Sequence, residues 1–218
     1  MKKYFSLSIQ LVNQKTFYVF LLAIISAINL KDGGILFLLL KLIVTFPISI
    51  VIYGRFIEQI TGAPKDLAKN IFNRNWINYI VVCFILFLPL FLGRLFNLIP
   101  NMIVNFSLQA IIVVLSIYIF PLIYLTGKGL PTIQAGLNYL FKNLQNSIPV
   151  MLLAFSTVVI KLLFFPYFAL HILKDFYSFK YLLWGSAMSF GLIYLGFVVF
   201  CMAGFKLADK TTQEEQTC

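Results

Sequence analysis

The chain is poor in charge. Only 11% of its 218 residues are Asp, Glu, Lys or Arg, against about 25% in an average soluble domain. Apolar residues make up 61%, and a soluble fold of this size leaves roughly a third of its chain surface in water. The two figures exclude a soluble globular domain and a disordered chain. Acids are scarcest: Asp32, Glu58, Asp66, Asp175, Asp209, Glu214 and Glu215, all at loop or tail positions. No carboxylate pair lies within a run, as general acid–base or metal-assisted chemistry would want. Cys83, Cys201 and Cys218 form no C-x-x-C pair, so redox and zinc motifs are missing. His171 is the single histidine and has no other His or Cys near it to complete a metal site. Phosphate-loop, nucleophile-elbow and His-Glu-x-x-His patterns are also lacking. Neither a cofactor nor an enzymatic activity is expected.

What the chain does have is long apolar runs. Five are of membrane-spanning length: 35–53, 76–93, 103–125, 148–170 and 181–205. A sixth, 17–30, is short, and crosses only if the helix continues back through Gln14 with Lys15 snorkelling to the surface. Lys31-Asp32-Gly33-Gly34 makes a turn into the second span. Polar residues at Ser6 to Gln10 and Asn13 to Lys15 interrupt what would be a signal-peptide core, so the N-terminus reads as retained.

Six spans divide the basic residues unevenly. Eleven Lys and Arg fall on the side that carries both termini, and Lys31, Arg94, Lys174 and Lys180 fall on the other. That bias marks the termini side as cytoplasmic, in a bacterial-type inner membrane. It also accounts for the net charge of +10 without nucleic acid as a partner. The expected partners are membrane lipids and other membrane proteins.

The cytoplasmic connections have helical character. Pro131 opens a segment with Ile133, Leu137, Leu140, Phe141 and Leu144 on one face and Gln134, Asn138, Lys142 and Gln145 on the other. Pro64 opens a similar segment with Leu67, Ala68, Ile71 and Phe72, and Phe5, Ile9 and Val12 repeat the spacing near the start. These are expected to be interfacial helices, apolar face down. Each leads through a polar joint, near 13, 73 and 143, into a span. The expected fold is therefore all-α: one six-helix domain over 1–208 made of three hairpins, each preceded by an amphipathic surface helix, then a flexible polar tail at 209–218. Parallel repeats of this kind imply a pseudo-symmetry axis along the membrane normal.

Two charges sit inside spans, Lys41 and Lys161, and an intramembrane ionisable residue is a candidate site. Both lie in the outer half and precede Phe-Pro pairs, Phe46-Pro47 and Phe165-Pro166. Together they would line a cleft for an anionic group such as a lipid phosphate. Snorkelling to headgroups or to Asp32 and Asp175 is the simpler alternative. Gln109, with Asn105, is the polar pair of the fourth span and suits interhelical hydrogen bonding or ligand contact. The in-span prolines Pro47, Pro89, Pro121 and Pro166 suit a cavity or kinked packing. The small pairs Gly185/Ser189 and Ala187/Gly191 suit close helix approach.

Phe120-Pro121-Leu122-Ile123-Tyr124-Leu125, the surface segment Ala135-Gly136-Leu137-Asn138-Tyr139-Leu140, and Asn146 before the next span resemble six-span bacterial membrane proteins related to the membrane domain of some glycerophosphodiester phosphodiesterases. The wording is clearest over 117–155. Thr126-Gly127-Lys128 stands where an acidic residue is common in that group, and Asn138 and Tyr139 where a Ser is common. The resemblance implies a helical membrane domain without its own active site and carries no functional residues across. Two functions follow as expectations: a non-enzymatic protein that binds lipid or organises membrane, or a small transporter or permease subunit for an anionic or lipid-like substrate.

Overall fold

The computed structural model describes residues 2–27, 34–95, 102–172 and 179–216. Over these residues the chain is helical apart from short joints: α1 (Lys2–Gln14), α2 (Thr16–Ala27), α3 (Gly34–Thr61), α4 (Ala68–Leu95), α5 (Met102–Ser116), α6 (Ile119–Thr126), α7 (Leu130–Lys142), α8 (Leu144–Ile172) and α9 (Phe179–Gln216). Five stretches are long and apolar enough to cross a bilayer: Ile43–Thr61, Ala68–Leu90, Val104–Thr126, Leu144–Lys161 and Ala187–Asp209. A sixth crossing requires α1 and α2 together, and that pair is bent by 68°. The protein is an all-α membrane protein. Residues 31–33 of the expected outer turn lie outside the described residues.

The expected break between a first helix and the one that follows it forms at two of the three joints. α1 gives way to α2 at Lys15, and α7 to α8 at Asn143. At both joints a hydroxyl bonds a main-chain carbonyl: Thr16 Oγ1 donates to Asn13 O at 2.6 Å, and Ser147 Oγ to Asn143 O at 2.8 Å. Such local bonds compete with the straight helical ladder. The middle unit differs. Residues 62–67 are irregular, and α4 then runs without a break through Asn73-Arg74-Asn75 into its span. The separate surface helix expected there is simply the first turns of α4.

The face of α7 expected to lie on the bilayer mostly packs on protein. Thr132, Gly136 and Leu140, four residues apart, are buried, and Ile133 and Leu137 pack beside them. A side chain at Gly136 would lie 3.0 Å from the Ile119 nitrogen and 3.1 Å from its Cα, so the glycine lets α7 rest on the α6 backbone. Phe141 and Leu144 remain exposed.

The fourth span is broken between α5 and α6. Pro121 crowds the carbonyl four residues back, that of Ile117, and offers no N–H to it. α5 accordingly ends at Ser116 and α6 starts at Ile119. Pro47 and Pro89 are carried inside unbroken helices. α6 ends at Gly127, at φ +66°, with its N–H donating to Ile123 O at 2.8 Å.

α9 is the central helix and packs against α1, α2, α3, α6 and α8. Phe56 stacks on Phe197 at 4.7 Å, and Tyr53 lies 4.7 Å from Phe200. The helix continues past Asp209 to Gln216, where the sequence suggests a polar tail. A Cβ at Gly191 would meet no atom of the described residues within 4 Å.

Candidate functional site

Of the candidate site residues Lys41, Lys161 and Gln109, the side chains of Lys161 and Gln109 are described. Lys161 is exposed on α8, the position a snorkelling lysine takes. The side chain of Lys41 lies outside the described residues, as do those of Arg94, His171, Phe165 and Pro166, and as do Asp32 and Asp175 entirely. Gln109 Nε2 donates to Asn105 Oδ1 at 3.4 Å, one turn back along α5. The pair is thus bonded within one helix rather than between two.

A different lysine is buried. Lys206, on α9, is 8% exposed. Its ammonium donates to the carbonyl of Asn146 at 2.7 Å and to Tyr118 Oη at 3.1 Å, and lies 5.6 Å from the Tyr118 ring centre. Tyr118, wholly buried, shares a 2.9 Å bond with Ser147 Oγ. Tyr139 Oη donates to the Lys206 carbonyl at 3.3 Å. One turn on, Asp209 accepts from Tyr4 Oη at 2.7 Å, which pushes that phenol up to about 12. One turn of α9 therefore ties together the α5–α6 break, α7 and the start of α8 through Lys206, and α1 through Asp209. Lys206 looks like a loop cation because it follows the last apolar run. The available signal was that Leu207 and Ala208 carry the run past it.

The same end gathers the other connections. Gln59 Nε2 donates to Gln14 Oε1 at 3.2 Å, and Asn78 Nδ2 to Gly127 O at 2.7 Å. Arg55 pairs with Glu58 at 2.8 Å, while the other Glu58 oxygen accepts from the Asp66 main-chain N–H at 3.1 Å. Asp66 accepts from Asn70 and from the Leu67 N–H, both at 2.8 Å, and these bonds hold its carboxyl below the usual range. The acids of this end whose side chains are described, Glu58, Asp66 and Asp209, are thus engaged, while Lys65, Lys69, Arg74, Lys128 and Lys142 are exposed. Exposed Leu67, Leu130 and Phe141 lie between them in sequence.

One cavity of about 190 Å³ opens inside the bundle, between α3, α4, the α5–α6 break, α8 and α9. Tyr53, Tyr79 and Tyr124 line it with Phe120, Phe200, Val113, Ala154 and Gly196. Among the described residues, no lysine or arginine contributes to its wall. Among the described residues, no three His, Cys, Asp or Glu side chains converge as a metal site would require.

No family model, curated protein or solved structure matches the chain.

Proposed function

We propose that the protein is a non-enzymatic membrane protein that binds and organises lipid at one leaflet, in a cytoplasmic membrane with both termini inside. The supporting observation is the imbalance at the end where α1 meets the last turns of α9. Glu58, Asp66 and Asp209, the acids there whose side chains are described, are occupied, and Lys65, Lys69, Arg74, Lys128 and Lys142 are exposed among apolar side chains. A Lys or Arg held near an anionic bilayer surface contributes about 1 kcal/mol of attraction. Apolar neighbours such as Phe141 anchor in the acyl region beneath the headgroups. Anionic phospholipid fits this surface, and the weak resemblance over 117–155 belongs with the same reading. A permease for an anionic substrate would want a cationic path, and the described cavity is aromatic.

The test is lipid retention. The intact protein is purified from bilayers of phosphatidylglycerol and phosphatidylethanolamine, and retained lipids are counted by native mass spectrometry. Enrichment of phosphatidylglycerol is expected, and its loss in a Lys65→Gln, Lys69→Gln, Lys128→Gln, Lys142→Gln variant. Retention in proportion to the bilayer composition would overturn the proposal.

A further inference from the structure

The cavity between α3, α4, α6, α8 and α9 has a polar level and an apolar level. Tyr53 lies two residues, roughly 3 Å of helix rise, before Arg55 of the Arg55–Glu58 pair, and Tyr124 lies two residues before the end of α6 at Thr126. Each tyrosine thus lies about half a turn of helix from a polar residue of that end. On α4 the wall passes from Tyr79 to Phe87, eight residues or roughly 12 Å toward the bilayer centre. Val113, Thr157 and Gly196 line it along with Phe87.

One fully enclosed hydroxyl in this wall is unpartnered. Tyr124 is 3% exposed, and among the described residues its hydroxyl has no hydrogen-bond partner. Ser116 and Thr157 spend their hydroxyl protons on carbonyls of their own helices, Val113 O at 3.0 Å and Ala154 O at 2.7 Å. An unsatisfied buried hydroxyl is costly and calls for an acceptor. The remaining wall is mostly hydrocarbon, and apolar cavities of about 150 Å³ and above stay dry and take up apolar guests. Gly196 agrees with this: among the described residues, no atom lies within 4 Å of where its Cβ would be.

An apolar chain with one acceptor at its outer end meets these conditions, and a glycerolipid supplies both at these depths. Its ester carbonyls lie at the inner edge of the headgroup region and its chains run along the bilayer normal. We propose that one acyl chain of a diacyl lipid from the leaflet at the α1 end occupies this cavity, its ester carbonyl accepting a hydrogen bond from Tyr124. This deepens the lipid binding proposed above and rests on it for the ligand class, but it uses no residue of the basic surface.

The probe is a pair of phosphatidylcholines with the same photoreactive diazirine in one chain, one ester-linked and one ether-linked, reconstituted with the intact protein. The ester lipid is expected to label the walls around Tyr79, Phe120 and Phe200. The ether lipid, lacking the carbonyl, should label these sites about fivefold to tenfold less, the worth of one buried hydrogen bond. Tyr124→Phe should erase the ester-over-ether preference. Gly196→Leu, whose side chain would project into the cavity the glycine lines, should abolish labelling of these walls by either lipid. Labelling that survives Gly196→Leu, or equal ester and ether labelling in the unaltered protein, would overturn the proposal. Phosphatidylglycerol enrichment on the lysine surface is read separately and should persist in both variants. Its absence would count against the basic surface, and lost wall labelling with enrichment intact would count against the cavity alone.

Discussion

The ammonium of Lys206 lies 2.7 Å from the main-chain carbonyl of Asn146, sixty residues earlier in the chain. The contact joins the centre of the bundle to the joint where a surface helix becomes a span. Lys206 also donates to Tyr118, and among the described residues no carboxylate pairs with it.

Hydrogen bonds from a charged donor are worth roughly 1.5–3 kcal/mol, so Lys206→Ala should destabilise the protein by about that amount. Lys206→Met keeps the stem and should cost less. Tyr118→Phe removes the hydroxyl shared by Lys206 and Ser147, and its cost should not add to that of Lys206→Met. A double-mutant cycle on unfolding in detergent should return a coupling of about 0.5–3 kcal/mol. Full additivity would show that the hydroxyl and the ammonium act separately.

Gly136→Ala should separate α7 from α6. The new methyl would press on the Ile119 backbone, which cannot rotate away as a flexible side chain can. Overpacking of this kind costs about 1–3 kcal/mol. Thermal unfolding measures the cost, and protease cleavage between 130 and 143 should become faster. An unchanged midpoint would mean that the contact between these helices yields easily.

Asp66 makes stability at this end sensitive to acid. Its carboxyl titrates below the ordinary value of 3.8 because the Asn70 side chain and the Leu67 N–H donate to it. A depressed folded-state pKa gives a contribution that is present in full above the unfolded value and lost as pH falls through the folded one. Unfolding measured between pH 6 and 2 should show a loss in that acid range that is absent in Asp66→Asn. Parallel profiles for the two proteins would contradict it.

Single cysteines at Lys65 and Lys142, in a background without the native cysteines, should label with a membrane-impermeant maleimide from one and the same side. A cysteine at Lys3 should join them, because Tyr4 is bonded to Asp209 and Tyr139 to the Lys206 carbonyl. Labelling of Lys65→Cys from the side opposite Lys142→Cys would break the topology.

Several features of this protein were legible along the chain, because each depends on residues within a few turns of one another. Hydropathy marks the spans, polar joints at Lys15 and Asn143 mark helix breaks, and Pro131 marks the start of α7. The expected joint near 73 does not break the helix. Asn75 there is buried, with its amide donating to Ile71 O at 2.8 Å within the helix. Composition alone could not say that this asparagine would turn inward while Asn73 faces out.

The candidate site was not legible. Lys41 and Lys161 attract notice because each stands alone in an apolar run, yet Lys161 is exposed, and Lys206, which resembles a loop residue, is the buried lysine among the described residues. The sequence by itself determined the all-helical membrane class, the gathering of basic residues at one end and two of the three helix joints. Tertiary structure alone decided which lysine is enclosed, that α7 rests on α6 rather than only on lipid, and that three tyrosines from α3, α4 and α6 share one cavity. Hydropathy and helical period report each helix's own faces. Burial of Lys206 and of Tyr124 depends on which helices arrive from far along the chain, and that is set by packing around α9.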